Sequence, residues 1–116
     1  MRTLAFFLIF LLIAPVAFAE QLTGKVVSIT DGDTLTLLTE GKQQVKIRLA
    51  EIDTPESGQP YGSRARQALS DLAFGKQARV AVTDRDRYGR TVGRVYVGEK
   101  DVNAELVRQG AAWVYR

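Results

Sequence analysis

Residues 31–56 read DGDTLTLLTEGKQQVKIRLAEIDTPE, and this stretch decides the fold. Two short runs alternating in apolar residues, Asp33 to Thr39 and Gln44 to Ile52, flank the turn-prone Glu40-Gly41-Lys42, which predicts an antiparallel hairpin. Pairing Leu35 with Leu49, Leu37 with Ile47 and Thr39 with Val45 gives it one apolar face and sets Asp33 opposite Glu51. Asp53 then lies just past that point, so two carboxylates distant in sequence are expected to meet at one end of the hairpin.

Working outward, Leu22 to Thr30 carries β-branched residues in a short apolar run, with Gly24 near its start, and predicts a strand with a bend or bulge. Asp31-Gly32 is a tight-turn signal into the hairpin. Beyond Glu56, Ser57 to Pro60 is loop material. Ala65, Leu69, Leu72 and Ala73 then recur at helical spacing, with Ser63 as the expected N-cap and Gly75 as the stop. Gln77 to Thr83 and Arg90 to Val97 predict two more strands. A short helix from Asn103, taken as its N-cap, to Gly110 and a final extended piece from Ala112 to Tyr115 complete the order. Five strands with a helix after the third give a mainly β chain with short helices, the sequence order of a five-stranded Greek-key barrel of the OB type.

The first residues bear on compartment. A basic Met1-Arg2, an apolar run from Leu4 to Leu12 and Ala17-Phe18-Ala19 predict a cleaved signal peptide over residues 1–19. The apolar run is short and broken by Pro15, against the roughly 20 residues that a spanning helix needs. The remaining 97 residues suffice for one small domain, and no stable membrane association is expected after cleavage. The expected location is therefore secreted or periplasmic.

The chain of 116 residues holds 16 Lys and Arg against 13 Asp and Glu, too mild an excess to name a partner by itself. The distribution says more, because Arg79 to Arg94 holds five arginines and two aspartates. Cysteine is absent, which excludes disulfides. Histidine is absent as well, which excludes histidine acid–base catalysis, Ser-His-Asp triads and imidazole-ligated zinc. Hydrolysis in such a chain would rest on carboxylates, arginines and an oxygen-loving metal.

Asp33 and Asp53 supply two anionic oxygens. Pro55 biases Thr54 toward an extended conformation that need not continue a ladder, which leaves the Thr54 carbonyl as a third oxygen ligand. Such a set suits Ca²⁺ or Mg²⁺ and not zinc. Taken singly, each motif also reads as turn chemistry, and it is their convergence that favours a site. Arg48 interrupts the apolar run; it is either the solvent-facing member of the alternation or, aimed at the carboxylates, a fork for two phosphate oxygens. Glu56, three residues after Asp53, is placed to take a proton from a water. Arg90 follows Tyr88-Gly89, where spacing alone favours a solvated loop charge.

The runs DGDT (31–34), IRLAEIDTPE (47–56), DRYGRTVGRVY (86–96) and DVNAELVRQGAAWV (101–114) closely resemble the thermonuclease family, also called micrococcal or staphylococcal-nuclease-like proteins. The resemblance runs from about Thr23 to Tyr115. It implies an OB-fold nuclease domain over residues 20–116: a Ca²⁺-dependent endonuclease that cleaves DNA and RNA with little sequence preference, favours single-stranded or locally open substrate and leaves 3′-phosphate ends. It further implies a monomer with no obligate protein partner. By position, Asp33 and Asp53 resemble the side-chain Ca²⁺ ligands and Thr54 the carbonyl ligand. Arg48, Glu56 and Arg90 resemble the catalytic trio, and Arg87 and Tyr88 the positions that contact a terminal phosphate. The chain stops at Arg116, where the family usually continues into another helix, so either a natural short form without that helix or a fragment of a longer protein is expected. The competing expectation is a non-catalytic OB module that binds nucleic acid or a protein; such modules lose the acidic residues that are present here.

Overall fold

A computed structural model describes residues 20–115, and the expected signal peptide lies outside the described residues. In chain order the strands are β1 (Gln21–Asp31), β2 (Thr34–Thr39), β3 (Gln44–Leu49) and β4 (Ile52–Asp53), followed by helix α1 (Gly62–Ala73). Then come β5 (Gln77–Arg85), β6 (Thr91–Val97), β7 (Lys100–Asp101), helix α2 (Val102–Arg108) and β8 (Trp113–Val114). The main sheet runs β3-β2-β1-β5-β6-β7, and β3 also pairs with β6 in parallel, which closes the five long strands into the expected barrel. Short β4 and β8 pair beside it, Ile52 with Val114 and Asp53 with Trp113.

Inward-facing positions of the strands and one face of α1 fill the barrel. Val26, Leu35, Leu37, Ile47, Leu49, Val80 and Val95 are fully buried, together with Leu69 of α1 and Leu106 of α2. Each such side chain contributes roughly 1.5–3 kcal/mol relative to an exposed one, enough to hold a small barrel closed without disulfides. Gly24 in β1 pairs with both Thr39 and Ala78, at the point where one strand serves two neighbours. A Cβ there would meet the Leu38 carbonyl oxygen at 2.2 Å, so close approach is what Gly24 provides. The bulges of β1 fall later, where the register shifts between Val26 and Ser28 and again between Ile29 and Asp31.

Three expectations need correction. The hairpin register is displaced by two residues: Leu35 pairs with Ile47 and Leu37 with Val45, and the Leu49 N–H donates to the Asp33 carbonyl, so Asp33 lies opposite Leu49 and not Glu51. A slip of two keeps every side chain on its face, so apolar alternation is satisfied equally by both registers. The turn chooses between them: Lys42 adopts φ 60°, the Thr39 N–H bonds the Gln43 carbonyl at 2.9 Å and the Lys42 N–H bonds the Thr39 carbonyl at 2.8 Å.

Ser63 does not cap α1. The helix starts two residues earlier than that cap would set, at Gly62, from Tyr61 in a left-handed conformation and with no side-chain cap bond. Nor does Asn103 cap α2; the Asp101 side chain does, accepting from the Ala104 N–H at 3.0 Å. Asn103 is fully buried instead. Its Oδ1 accepts from the Val95 N–H at 3.0 Å and its Nδ2 donates to the Ala50 carbonyl at 2.9 Å, which joins α2 to β6 and to the segment after β3.

Candidate active site

The β1–β2 turn and the end of β3 bring three charged side chains to one place. Arg48 pairs with Thr34 across the hairpin and with Val92 of β6, and its side chain turns toward the carboxylates and not into open solvent. Nη1 donates to the carbonyls of Leu49 at 2.8 Å and Ile52 at 2.9 Å, which fixes the guanidinium plane. Nη2 then lies 3.4 Å from Asp33 Oδ2 and 3.6 Å from Asp53 Oδ1. Both carboxylates therefore share one neighbourhood. The sequence expectation of convergence holds, although the register that produces it differs.

Asp33 is 8% exposed and its Oδ1 accepts from the Thr34 hydroxyl at 3.0 Å; Asp53 Oδ1 accepts from the Thr54 N–H at the same distance. Thr54 is buried, and its Oγ1 has no hydrogen-bond partner. Two carboxylates against one guanidinium leave an excess negative charge, and with the oxygens of Thr54, whose N–H is bonded to Asp53, they form a donor set of hard oxygens that fits a small divalent cation. Among the described residues no group of three or more Asp, Glu, His or Cys could hold a metal, so carbonyl, hydroxyl or water oxygens would complete the shell. Ca²⁺ tolerates such mixed shells.

Glu56 is exposed, three residues beyond Asp53 in the segment leading to α1. That segment is tied back to the β1–β2 turn, because Asp31 Oδ1 accepts from the Ser57 hydroxyl at 2.8 Å and from the Ser57 N–H at 3.3 Å. Arg90 is not joined to the Arg48 group by an ion pair among the described residues. The parallel β3–β6 ladder sets Thr91 beside Ile47, so Arg90 enters the sheet alongside β3.

Asp86 governs the geometry of Arg90. Its Oδ2 accepts from Arg90 Nε at 2.6 Å, and its Oδ1 accepts from the backbone N–H groups of Arg90 at 2.9 Å and Tyr88 at 3.0 Å. Partial burial pushes the Asp86 carboxyl up, but the Arg90 N–H, the Arg90 guanidinium and the Tyr88 N–H together hold it below the usual aspartate range. Tyr88 is 70% exposed, with its ring 5.2 Å from the Arg87 guanidinium carbon and 5.7 Å from that of Arg90.

Asp86 and Tyr115 join the site without being among the residues expected there from sequence. A carboxylate two and four residues before the N–H groups it binds is the available signal for Asp86. Tyr115 is half-exposed with its ring 6.0 Å from the Arg48 guanidinium carbon, brought there by the β4–β8 pairing and a bond of its N–H to the Glu51 carbonyl. Nothing in its local sequence marks it.

The staphylococcal nuclease homologue family matches residues 46–116, a span that includes Arg48, Asp53, Thr54, Glu56, Arg87, Tyr88 and Arg90 and begins after Asp33. The chain is 48% identical over 97 residues to an uncharacterized endonuclease of Haemophilus influenzae, covering 84% of this chain and 54% of that protein. It is 46% identical over 114 residues to a micrococcal nuclease of Shigella flexneri, covering 90% and 65%, and 47% identical over 115 residues to the protein ParB of Escherichia coli, covering 91% and 64%. It thus spans between about half and two thirds of the length of these relatives.

Proposed function

The chain belongs to the staphylococcal nuclease homologue family, and from that membership we propose that it is an exported, Ca²⁺-dependent endonuclease acting on DNA and RNA with little sequence preference and leaving 3′-phosphate ends. The observation that carries this reading is the meeting of Asp33 and Asp53 at one nitrogen of Arg48. Asp33, Asp53 and Thr54 would hold the ion. When bound, Ca²⁺ supplies positive charge at the phosphate and lowers the cost of forming hydroxide from water.

The remaining roles fall to the chain itself. Glu56, exposed and unburdened by an ion pair, takes a proton from the attacking water. As that oxygen bonds to phosphorus, negative charge grows on the non-bridging oxygens, and Arg48 and Arg90 are the donors that meet it. Their neighbours hold them in place beforehand, the Leu49 and Ile52 carbonyls for Arg48 and Asp86 for Arg90, so little reorganisation is required. Breaking the bond to the 5′ oxygen, which takes up a proton, leaves a 3′-phosphate and a 5′-hydroxyl. Arg87 contacts phosphate and Tyr88 offers an exposed ring to a base; such contacts read no sequence.

Residues 1–19 direct export, a reading supported by the apolar run from Leu4 to Leu12 and by Ala17-Phe18-Ala19, and the product is secreted or periplasmic. The protein works as a monomer on single-stranded or locally open substrate. The experiment that tests the reading is end-group analysis of an oligonucleotide digested by the parent and by Glu56→Gln. Expected are 3′-phosphate ends from the parent and a large rate loss in the variant; binding without cleavage by the parent would make the protein a non-catalytic OB module.

A further inference from the structure

From Glu56 to Tyr61 every residue is exposed, so burial does little to hold the segment that carries Glu56. Polar ties hold it instead. The Glu56 N–H donates to Gln59 Oε1 at 2.8 Å, and the Gln59 N–H returns a bond to the Glu56 carbonyl at 2.9 Å. The Gly62 N–H donates to the Gln59 carbonyl at 2.9 Å, which joins this loop to the first turn of α1. A Cβ at Gly62 would stand 2.1 Å from the Glu56 carbonyl oxygen, so that carbonyl is pressed against the start of the helix.

Ser57 completes the arrangement from the other side. Its hydroxyl and its N–H both reach Asp31 Oδ1, across 26 positions of sequence, and Asp31 lies two residues before Asp33. The N–H and the carbonyl of Glu56 and the N–H of Ser57 are thus engaged, whereas no hydrogen bond or ion pair takes the Glu56 carboxylate among the described residues. A fixed backbone beneath an unengaged carboxylate is the arrangement required of a group that must take a proton at a set point.

We propose that Ser57 and Gln59 are positioning residues: they lock the backbone of Glu56 to the β1–β2 turn, so that the carboxylate and the Asp33 side chain move as one body. This rests on the reading of Glu56 as proton acceptor given above. A positioning role of this kind acts through Glu56 alone, so loss of either residue lowers the turnover rate without weakening substrate binding.

The test is a cycle of variants of the protein, assayed on a single-stranded oligonucleotide with Ca²⁺: Ser57→Ala, Ser57→Thr and Gln59→Ala, each in the parent and in Glu56→Gln. Expected is a loss of roughly 10–100-fold in kcat for Ser57→Ala and Gln59→Ala, the scale of a misplaced catalytic group, with KM unchanged. Ser57→Thr retains the hydroxyl and the parental rate. In the Glu56→Gln background Ser57→Ala costs nothing further, because the group it positions is already gone. The Ca²⁺-induced rise in melting temperature persists in Ser57→Ala, which shows that the turn bearing Asp33 is intact. A parental rate for Ser57→Ala, or an equal loss in both backgrounds, overturns the positioning role and leaves the nuclease reading standing. A parental rate for Glu56→Gln itself overturns the assignment of the base and this inference with it.

Discussion

Arg48 Nη2 lies 3.4 Å from Asp33 Oδ2, and the same nitrogen is 3.6 Å from Asp53 Oδ1. One guanidinium thus holds together two carboxylates that would otherwise repel, and its own direction is set by the carbonyls of Leu49 and Ile52. Arg48→Gln is expected to lower the cleavage rate by about 10²–10³, the cost typical of losing one preorganised donor. The variant retains both acidic residues, so its melting temperature still rises with Ca²⁺. Cleavage assays paired with thermal melts check this, and a rate near the parental value would make Arg48 purely structural.

With Ca²⁺ held as proposed, two carboxylates and neutral oxygens lead us to expect an affinity in the range of extracellular modules, with a Kd of about 10⁻⁴–10⁻³ M. At a concentration 100 times Kd, binding stabilises the native state by about 2.7 kcal/mol. For a domain of this size each kcal/mol moves the melting temperature by roughly 4–8 °C. A clear upward shift is expected for the parent in differential scanning calorimetry and none for Asp33→Asn. An equal shift in that variant would place the ion elsewhere.

Asn103 is the buried polar residue whose loss should be felt most. Its amide satisfies the Val95 N–H and the Ala50 carbonyl, and Asn103→Leu strands both in the interior. Each buried group left without a partner costs about 1–3 kcal/mol, so a drop of several kcal/mol in the urea-unfolding free energy is expected. A loss within experimental error would mean that solvent reaches those groups.

Much of this was legible beforehand, for reasons that can be named. Apolar alternation in β2 and β3 announced a hairpin and its inward face, and Leu69 and Ala73 announced the face of α1, because both patterns follow from burial. Register was hidden, since pairing Leu35 with Ile47 or with Leu49 satisfies the same alternation. Helix starts were hidden too: Asp101 and Asn103 are both good caps, and only the inclusion of buried Val102 in α2 selects the former. At the site, Asp33, Asp53 and Glu56 could be marked from residue type and spacing. The direction of Arg90 could not, because it depends on Asp86 gathering three donors in the turn before it.

Acid should weaken the fold through α2 and the β5–β6 turn. Hydrogen bonds from Arg108 and Gln109 hold the Glu105 carboxyl at about 2, down from an ordinary value of 4.5, and Asp86 lies below its ordinary 3.8. Both shifts are downward, so the stability they confer is fully present above the ordinary values and is lost as pH falls through the folded ones. Arg108 is well exposed, which keeps the contribution of its pair with Glu105 modest. Urea midpoints followed from pH 5 downward should fall more gently for Glu105→Gln than for the parent. Identical slopes would show that the helix pair adds nothing.

The most direct test is cleavage of single-stranded DNA by the purified protein, followed with Ca²⁺ present and again after excess chelator is added. Fragments ending in 3′-phosphate are expected while Ca²⁺ is present, with arrest on chelation and recovery when the ion is restored. Undiminished cleavage in chelator, or intact DNA at saturating Ca²⁺, would contradict Ca²⁺-dependent cleavage.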